Sequence, residues 1–224
     1  MYQKVKLSKR QIKEDKFTAF MLKSKSWFVE NWQFAVIGVV AAILLVTAGT
    51  YYAGSQTARQ QEAGIKLARA LMDYRNENSQ VAIMSLSQIV EDYGGDYAAQ
   101  QATFLLGKVN LKIRNYPEAI RYFEMYLSRY RDDKLIRASA LAGIAACHED
   151  QADFAEAADK YAEAFEEYPD GPMSGDCQLS ALRNYLEAGD TEDARFFYES
   201  LNKDFKGTGL ANTATLLFME KNQR

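Results

Sequence analysis

Cys147 and His148 are adjacent, and a cysteine with a histidine is the pair that thiol catalysis uses. The imidazole must lie within hydrogen-bond reach of the sulfur to activate it. Neighbouring residues on a helix point about 100° apart, so on a helix these two side chains diverge and the thiol is not activated. Cys177 is the other cysteine. The helical register places the two on neighbouring parallel helices at different heights. Two buried thiols are therefore expected in preference to a bridge, because a free cysteine packs as a small apolar side chain. With no CxxC pair and a single histidine, no zinc site of known spacing is available. The chain contains no Gly-rich phosphate loop, no G-x-S-x-G elbow and no H-E-x-x-H pair. These residue types predict no enzyme, no metal and no cofactor.

The elements that would position any site are helical. Three prolines and 13 glycines punctuate 224 residues, and long runs of Ala, Leu, Glu and Lys leave little β-branched alternation. Four segments repeat one pattern: "NSQVAIMSLSQIVEDYG" from Asn78, "NYPEAIRYFEMYLSRYR" from Asn115, "DFAEAADKYAEAFEEYP" from Asp153 and "DTEDARFFYESLNKDFK" from Asp190. Each opens on an Asn or Asp, which caps a helix when its side-chain oxygen accepts a free backbone N–H. Each has alanine at its fifth place (Ala82, Ala119, Ala157, Ala194), and these alanines lie 37, 38 and 37 residues apart. A large residue follows four places on (Leu86, Phe123, Tyr161, Tyr198), then Ile89, Tyr126, Ala164 or Leu201. Twelve places before each alanine stand Ala70, Gly107, Ala145 and Leu182. The pattern predicts antiparallel helix pairs, with the knob of the second helix entering space left by a small residue of the first. A non-repeating bundle would not keep four caps and four alanines in phase.

This pattern resembles the tetratricopeptide repeat (TPR), a unit of about 34 residues. Leu106-Gly107, Tyr116-Pro117-Glu118-Ala119 and Phe123 carry the resemblance, as do Ile144-Ala145, Phe154-Ala155-Glu156-Ala157, Tyr161, Ala164 and Pro169. The outer units depart from it: Arg69-Ala70 and Ala181-Leu182 replace Leu-Gly, and Val81 replaces Glu. The likeness spans about residues 60–206, and "GTGLANTATLLFMEKNQ" reads as a capping helix from about Thr208. The resemblance implies that first helices line a concave protein-binding groove. In register, its lining would be Leu67, Leu71 and Tyr74, then Phe104, Lys108 and Leu111, then Ala142, Ala146 and Glu149, then Leu179, Arg183 and Leu186. Leu67, Leu71, Leu111 and Leu179 are equally open to burial between helices, so Tyr74 and Phe104 are the preferred contacts. TPR clamps for C-terminal carboxylates cluster cations in the groove. Here Lys108 and Arg183 stand two units apart, and a mostly apolar groove suits an amphipathic helix or an unfolded segment. A Phe104→Glu change is expected to weaken capture without unfolding the domain.

"FAVIGVVAAILLVTAGTYY", Phe34 to Tyr52, contains no charge. At ~1.5 Å per residue it is about 28 Å long as a helix, close to the ~30 Å hydrocarbon thickness. Trp27, Phe28 and Trp32 precede it and Tyr51 and Tyr52 end it, as the two headgroup zones favour. A cleaved signal has a shorter basic head and an apolar core of roughly 7–15 residues. A retained signal-anchor is the better fit. Residues 1–33 carry eight Lys/Arg against Glu14, Asp15 and Glu30, or +5, which leaves −8 for the remainder of a chain whose total is −3. The positive side stays in the cytoplasm, and the acidic body argues against nucleic acid. Ile12, Phe17, Phe20, Met21 and Phe28, with lysines opposite, make the head an amphipathic stub for anionic lipid, with docking to a cytoplasmic partner as the alternative. Gly38 and Ala42 form a small-xxx-small pair that would allow homo-oligomers, although a run so rich in small residues holds such pairs by chance.

The expected architecture is all-α. It comprises a cytoplasmic head at 1–33, a transmembrane helix at 34–52 and a periplasmic TPR-like domain at 53–224, with about four helix pairs and a cap. Anchor, repeats and the head "KRQIKEDKFTAF" with "ENWQFAVIGVV" resemble the YfgM-like family of single-pass bacterial inner-membrane proteins, ancillary subunits of the Sec translocon. That resemblance implies a translocon-associated adaptor acting beside periplasmic chaperones or unfolded clients. A structural scaffold of a secretion or division complex is the alternative.

Overall fold

The computed structural model describes residues 31–222, together with residues 20, 21, 24, 25 and 29. In the amphipathic reading of the head, Ile12, Phe17 and Phe28 lie outside the described residues, as does the flanking Trp27, and Phe20 and Met21 are exposed. The described chain is helical, with no strand among the described residues. Its helices are α1 (Trp32–Arg75), α2 (Ser79–Asp92), α3 (Tyr97–Lys112), α4 (Tyr116–Arg129), α5 (Lys134–Asp150), α6 (Phe154–Glu167), α7 (Ser174–Ala188), α8 (Thr191–Asp204) and α9 (Gly209–Asn222). The chain divides into two compact units between Ala58 and Arg59.

The first unit holds the whole apolar run. Its large side chains face outward: Phe34, Ile37, Leu44, Leu45 and Tyr51 are all more than half exposed. Polar groups here are satisfied within the helix, since the Thr47 hydroxyl donates to the Ile43 carbonyl at 2.9 Å and the Thr50 hydroxyl to the Thr47 carbonyl at 3.0 Å. A helix that is apolar on all sides, with its hydroxyls turned back onto its own backbone, is suited to hydrocarbon. It is long and apolar enough to cross a membrane.

The second unit stacks α2 to α9 on the Arg59–Arg75 end of α1, and the four repeats appear where their spacing predicts. Asn78, Asn115, Asp153 and Asp190 are the N-caps of α2, α4, α6 and α8. Ala82, Ala119, Ala157 and Ala194 are each wholly buried. Leu86 and Phe123 fill the knob places, and Tyr161 is buried in the same way. In the last pair the core side chain is Phe197, while Tyr198 turns to stack on Phe218 of α9 with centroids 4.4 Å apart. The predicted cap is thus present, beginning at Gly209.

The capping chemistry differs from expectation in three units. Only Asp190 accepts a bond from its own helix, from the Asp193 N–H at 3.2 Å. Two of the other side chains are drawn back toward the preceding helix: the Asn115 amide donates to Asn110 Oδ1 at 3.1 Å, and Asp153 Oδ2 lies 3.2 Å from His148 Nδ1. A backbone device is shared by all four units, whether or not the side chain caps. Glu77, Arg114, Ala152 and Gly189 have φ of 64°, 61°, 60° and 83°. Each cap residue then donates its N–H five residues back, to Asp73, Asn110, His148 and Tyr185 at 3.0, 2.8, 2.9 and 2.9 Å. This is a Schellman turn, and it brings each cap residue to the end of the previous helix.

Aromatic residues close the second helices in the same register: Tyr93, Tyr130, Tyr168 and Phe205 are their C-caps. Where α4 ends, Arg137 of α5 donates from Nη1 to the Leu127 and Tyr130 carbonyls at 2.9 and 3.1 Å. It also makes a two-pronged pair with Glu167, 2.8 and 3.1 Å long. Arg137 therefore ties α4, α5 and α6 together at helix ends, where a cation is favoured. Its guanidinium holds the Glu167 carboxyl below the usual carboxylate range. A carboxyl depressed in the folded state stabilises fully above its unfolded pKa of ~4.3, and that contribution fades as pH falls through the folded value. Glu167→Gln is expected to cost about 1–2 kcal/mol at pH 7. In urea unfolding, the gap from the parent should shrink below about pH 4.3; a gap independent of pH would remove the ion pair as its cause.

Candidate protein-binding groove

The first helices of the pairs, the Arg59–Arg75 end of α1 with α3, α5 and α7, carry the residues predicted to line a groove. Helix periodicity sends part of that set inward. Leu67 and Leu186 are buried in the core. Leu71, Leu111 and Leu179 are half-buried against three successive core clusters, and Ala142 and Ala146 are half-buried small residues. Tyr74, Phe104 and Glu149 are half-buried as well, and Lys108 and Arg183 are exposed.

Phe104 is bound into the core more firmly than a free contact residue. Its ring lies 5.8 Å from Phe123 and 5.8 Å from Tyr126, tilted or edge-on to both, and Lys108 Nζ stands 5.8 Å above its outer face. A charge at this place would disturb Phe123 packing as well as any capture, so Phe104→Glu does not separate binding from folding. Tyr74 is held by Lys112, whose Nζ is 5.5 Å from its ring and 3.3 Å from Glu77.

The cations are also placed differently from those of a carboxylate clamp. Both Arg183 Nε and Nη2 donate to Glu149 Oε1, at 3.1 and 2.7 Å. The Tyr161 hydroxyl donates to Glu149 Oε2 at 2.9 Å. Glu149 thus neutralises Arg183, and the surface is a mixed apolar face with Lys108 toward one end and a Tyr161–Glu149–Arg183 chain toward the other. Cys147 and Cys177 are free and buried, and burial pushes the Cys147 thiol up to about 12 and the Cys177 thiol up to about 11. His148 points to Asp153, as the divergence on a helix requires. The described residues contain no cluster of three or more His, Cys, Asp or Glu suited to a metal.

Three features carry no signal in the linear pattern. Left-handed Glu77, Arg114 and Ala152 are of residue types that do not advertise the conformation. Arg137 looks like any surface cation until its carbonyl partners are known. Gly143, part of "GIA", turns out to matter as much as Gly107: a Cβ at either place would lie within 2.6 Å of the Phe123 ring.

A family model described as a tetratricopeptide repeat-like domain matches residues 25–168, more than half of the chain. That span takes in the apolar run and three of the four pairs. A search of characterised proteins finds no match. Among solved structures, the TPR-like repeats of a Podosopora anserina putative kinesin light chain align with a TM-score of 0.57 at 13% identity, over 73% of this chain and 86% of that one. MamA of AMB-1 aligns at 0.52 and 14% identity, covering 66% and 75%. Pseudomonas aeruginosa pilF aligns at 0.50 and 18% identity, covering 72% and 66%. Identities this low establish a common fold and nothing finer.

Proposed function

Because the chain belongs to the tetratricopeptide repeat-like domain family, a fold that binds other proteins, we propose that it is a membrane-tethered adaptor. In this reading residues 34–52 span the bacterial inner membrane, the basic head at 1–33 stays in the cytoplasm, and the repeats from 53 onward work in the periplasm. The repeats there hold segments of other polypeptides during envelope protein translocation or biogenesis. The observation that carries the proposal is the uncharged helical run with outward-facing apolar side chains, preceded by +5 and followed by −8 of net charge. In water those side chains would cost roughly 25 cal/mol per Å² of apolar surface, and lipid removes that cost. The charge difference sets the direction of insertion.

The contact face is formed by Tyr74, Lys108, Leu111, Leu179 and Arg183, with the outer face of Phe104. Protease added to intact spheroplasts is expected to digest the repeat domain and spare the head. A protected repeat domain would overturn the orientation. Photo-crosslinkers placed at Tyr74 and Lys108 in membranes are expected to trap protein partners, whereas one at the exposed Met84 of α2 should not. Equal yields from all three positions would remove the groove assignment. Translocon subunits and varied clients among the adducts would support a biogenesis role, and one fixed stoichiometric complex would support a scaffold instead.

A further inference from the structure

Gln61, Ile65, Ala68 and Met72 follow one another along α1 at spacings of four, three and four residues, and all four are exposed. Ile65 and Met72 are 57% and 65% exposed. Ala63, Leu67 and Ala70 of the same stretch are buried in the core. At 3.6 residues per turn the two sets lie on opposite sides of the helix.

Register shows how unusual the open side is. Ile65 corresponds to Ala102, Ala140, Cys177 and Ala214 of the later first helices, and all of these are buried. Met72 corresponds to Val109, Cys147 and Asn184, which are buried too. The preceding second helix closes that side each time. Ala102 and Val109 share a cluster with Leu86 and Ile89 of α2, and Ala140 and Cys147 share one with Phe123 and Tyr126 of α4. Among the described residues no second helix precedes α1. A terminal repeat kept in water carries a polar outer face, whereas isoleucine and methionine occupy this one.

The side is not shaped for a further repeat. Leu106, Ile144 and Ala181 are buried at a place where α1 has the exposed Arg69. Arg69 confines the apolar surface to a narrow strip. Such a strip is the seam of a two-stranded coiled coil, with Ile65 and Met72 at a, Gln61 and Ala68 at d, and Glu62 and Arg69 at e. Across a parallel pair, Arg69 at e faces Gly64 at g, so no like charge opposes it. The space beside Gly64 is open, since a Cβ there would meet nothing within 4 Å.

We propose that a second copy of this chain covers the strip, α1 against α1 in parallel about a two-fold axis. The small size of the strip selects this occupant. Four residues a side is far below the roughly 20–30 a side of a stable interface between free proteins, so a partner arriving from solution gains too little. Two copies tethered in one membrane meet at a high effective concentration, and a short seam then suffices. The inference rests on the membrane tether proposed above and does not use the groove. Every copy enters its repeats through α1, so α1 runs in the same sense in both. The axis sets Ile65 opposite Ile65 and Met72 opposite Met72.

A disulfide needs Cβ atoms about 3.5–4.5 Å apart, so it reports residues that meet across the axis. Ile65→Cys, Met72→Cys, Gln80→Cys and Thr213→Cys, all at exposed places, are oxidised with copper phenanthroline in membranes holding the full chain. The parent, whose two thiols are buried, is the blank. A covalent species of twice the chain mass is expected from Ile65→Cys and Met72→Cys, at least fivefold above Gln80→Cys and Thr213→Cys. Ile65→Glu with Met72→Glu should keep the thermal midpoint and lower the dimer yield of Ala68→Cys at least fivefold. Should that double change unfold the domain, the pattern of the four single cysteines decides alone. Equal yields from the four, or a product at Ile65 without one at Met72, would overturn the parallel seam. An adduct of another mass would mean that a different protein covers the strip and would overturn the second copy. Alkaline carbonate washing of the same membranes reads the tether separately. A retained chain without the pattern fails the seam and leaves the anchor standing, and a released chain that still shows the pattern does the reverse.

Discussion

Gly107→Val is expected to lower the thermal midpoint of the repeat domain by roughly 6–12 °C, from an overpacking cost of about 3 kcal/mol. The cause is a ring with nowhere to go. Phe123 of α4 is 1% exposed and enters between the first helix of its own repeat and that of the next. A Cβ at Gly107 would come within 2.5 Å of Cε1, and one at Gly143 within 2.6 Å of Cε2. Retreat from one glycine drives the ring into the other. Glycine in a helix interior ordinarily costs about 0.5–1 kcal/mol relative to alanine, so any substitution here gains helix propensity. Even so, the clash is the larger effect. The discriminating measurement is a double-mutant cycle. Phe123→Leu alone should destabilise by leaving space, yet it should partly rescue Gly107→Val, with a coupling of at least ~1 kcal/mol. Additive losses would show that the two residues do not compete for the same volume.

That sandwich marks the limit of what a one-dimensional pattern carries. The four alanines and four caps are legible because repetition fixes register: the same local packing recurs every 37 or 38 residues, and each alanine is wholly buried. Leu106-Gly107 is legible as a close crossing. That Phe123 also needs Gly143 is not, because the contact joins consecutive repeats and no local spacing encodes it. The turns are legible in place but not in mechanism. Asn and Asp side chains at the caps point to bonds within the following helix, whereas all four units use a left-handed residue and a backbone bond across the turn, and only Asp190 adds the side-chain bond.

The groove is legible in outline and less so in detail, for a related reason. Positions counted along a first helix repeat every 3.6 residues, but whether a given leucine faces outward depends on how closely the next pair approaches. Leu67 and Leu186 are buried, whereas Leu179 keeps some surface. Charge partners are also invisible in the sequence. Arg183 looks available for a ligand, yet Glu149 of the preceding first helix, 34 residues away, holds it at 2.7 Å.

In the native chain, Cys147 is expected to react with a disulfide reagent at pH 8 at least a thousandfold more slowly than in the unfolded chain. Reaction requires the thiolate. Burial raises the Cys147 pKa to about 12, against ~8.5 for a free cysteine. At pH 8 that alone lowers the thiolate fraction by roughly three orders of magnitude, and the side chain is 0% exposed. Labelling must then wait for the core to open, so its rate reports the stability of the repeats. Cys147 lies in the same apolar cluster as Phe123, and Gly107→Val should therefore speed its labelling in proportion to the stability lost. The pH dependence has a fixed sign. A thiol whose pKa is higher folded than unfolded stabilises fully below the unfolded value and loses that contribution as pH rises toward the folded one. Unfolding free energy should accordingly decline above about pH 8.5, and replacing both cysteines with alanine should flatten that decline. Fast stoichiometric labelling of the native chain at pH 8 would instead mean an accessible, activated thiol and would reopen the Cys147–His148 pair to chemistry.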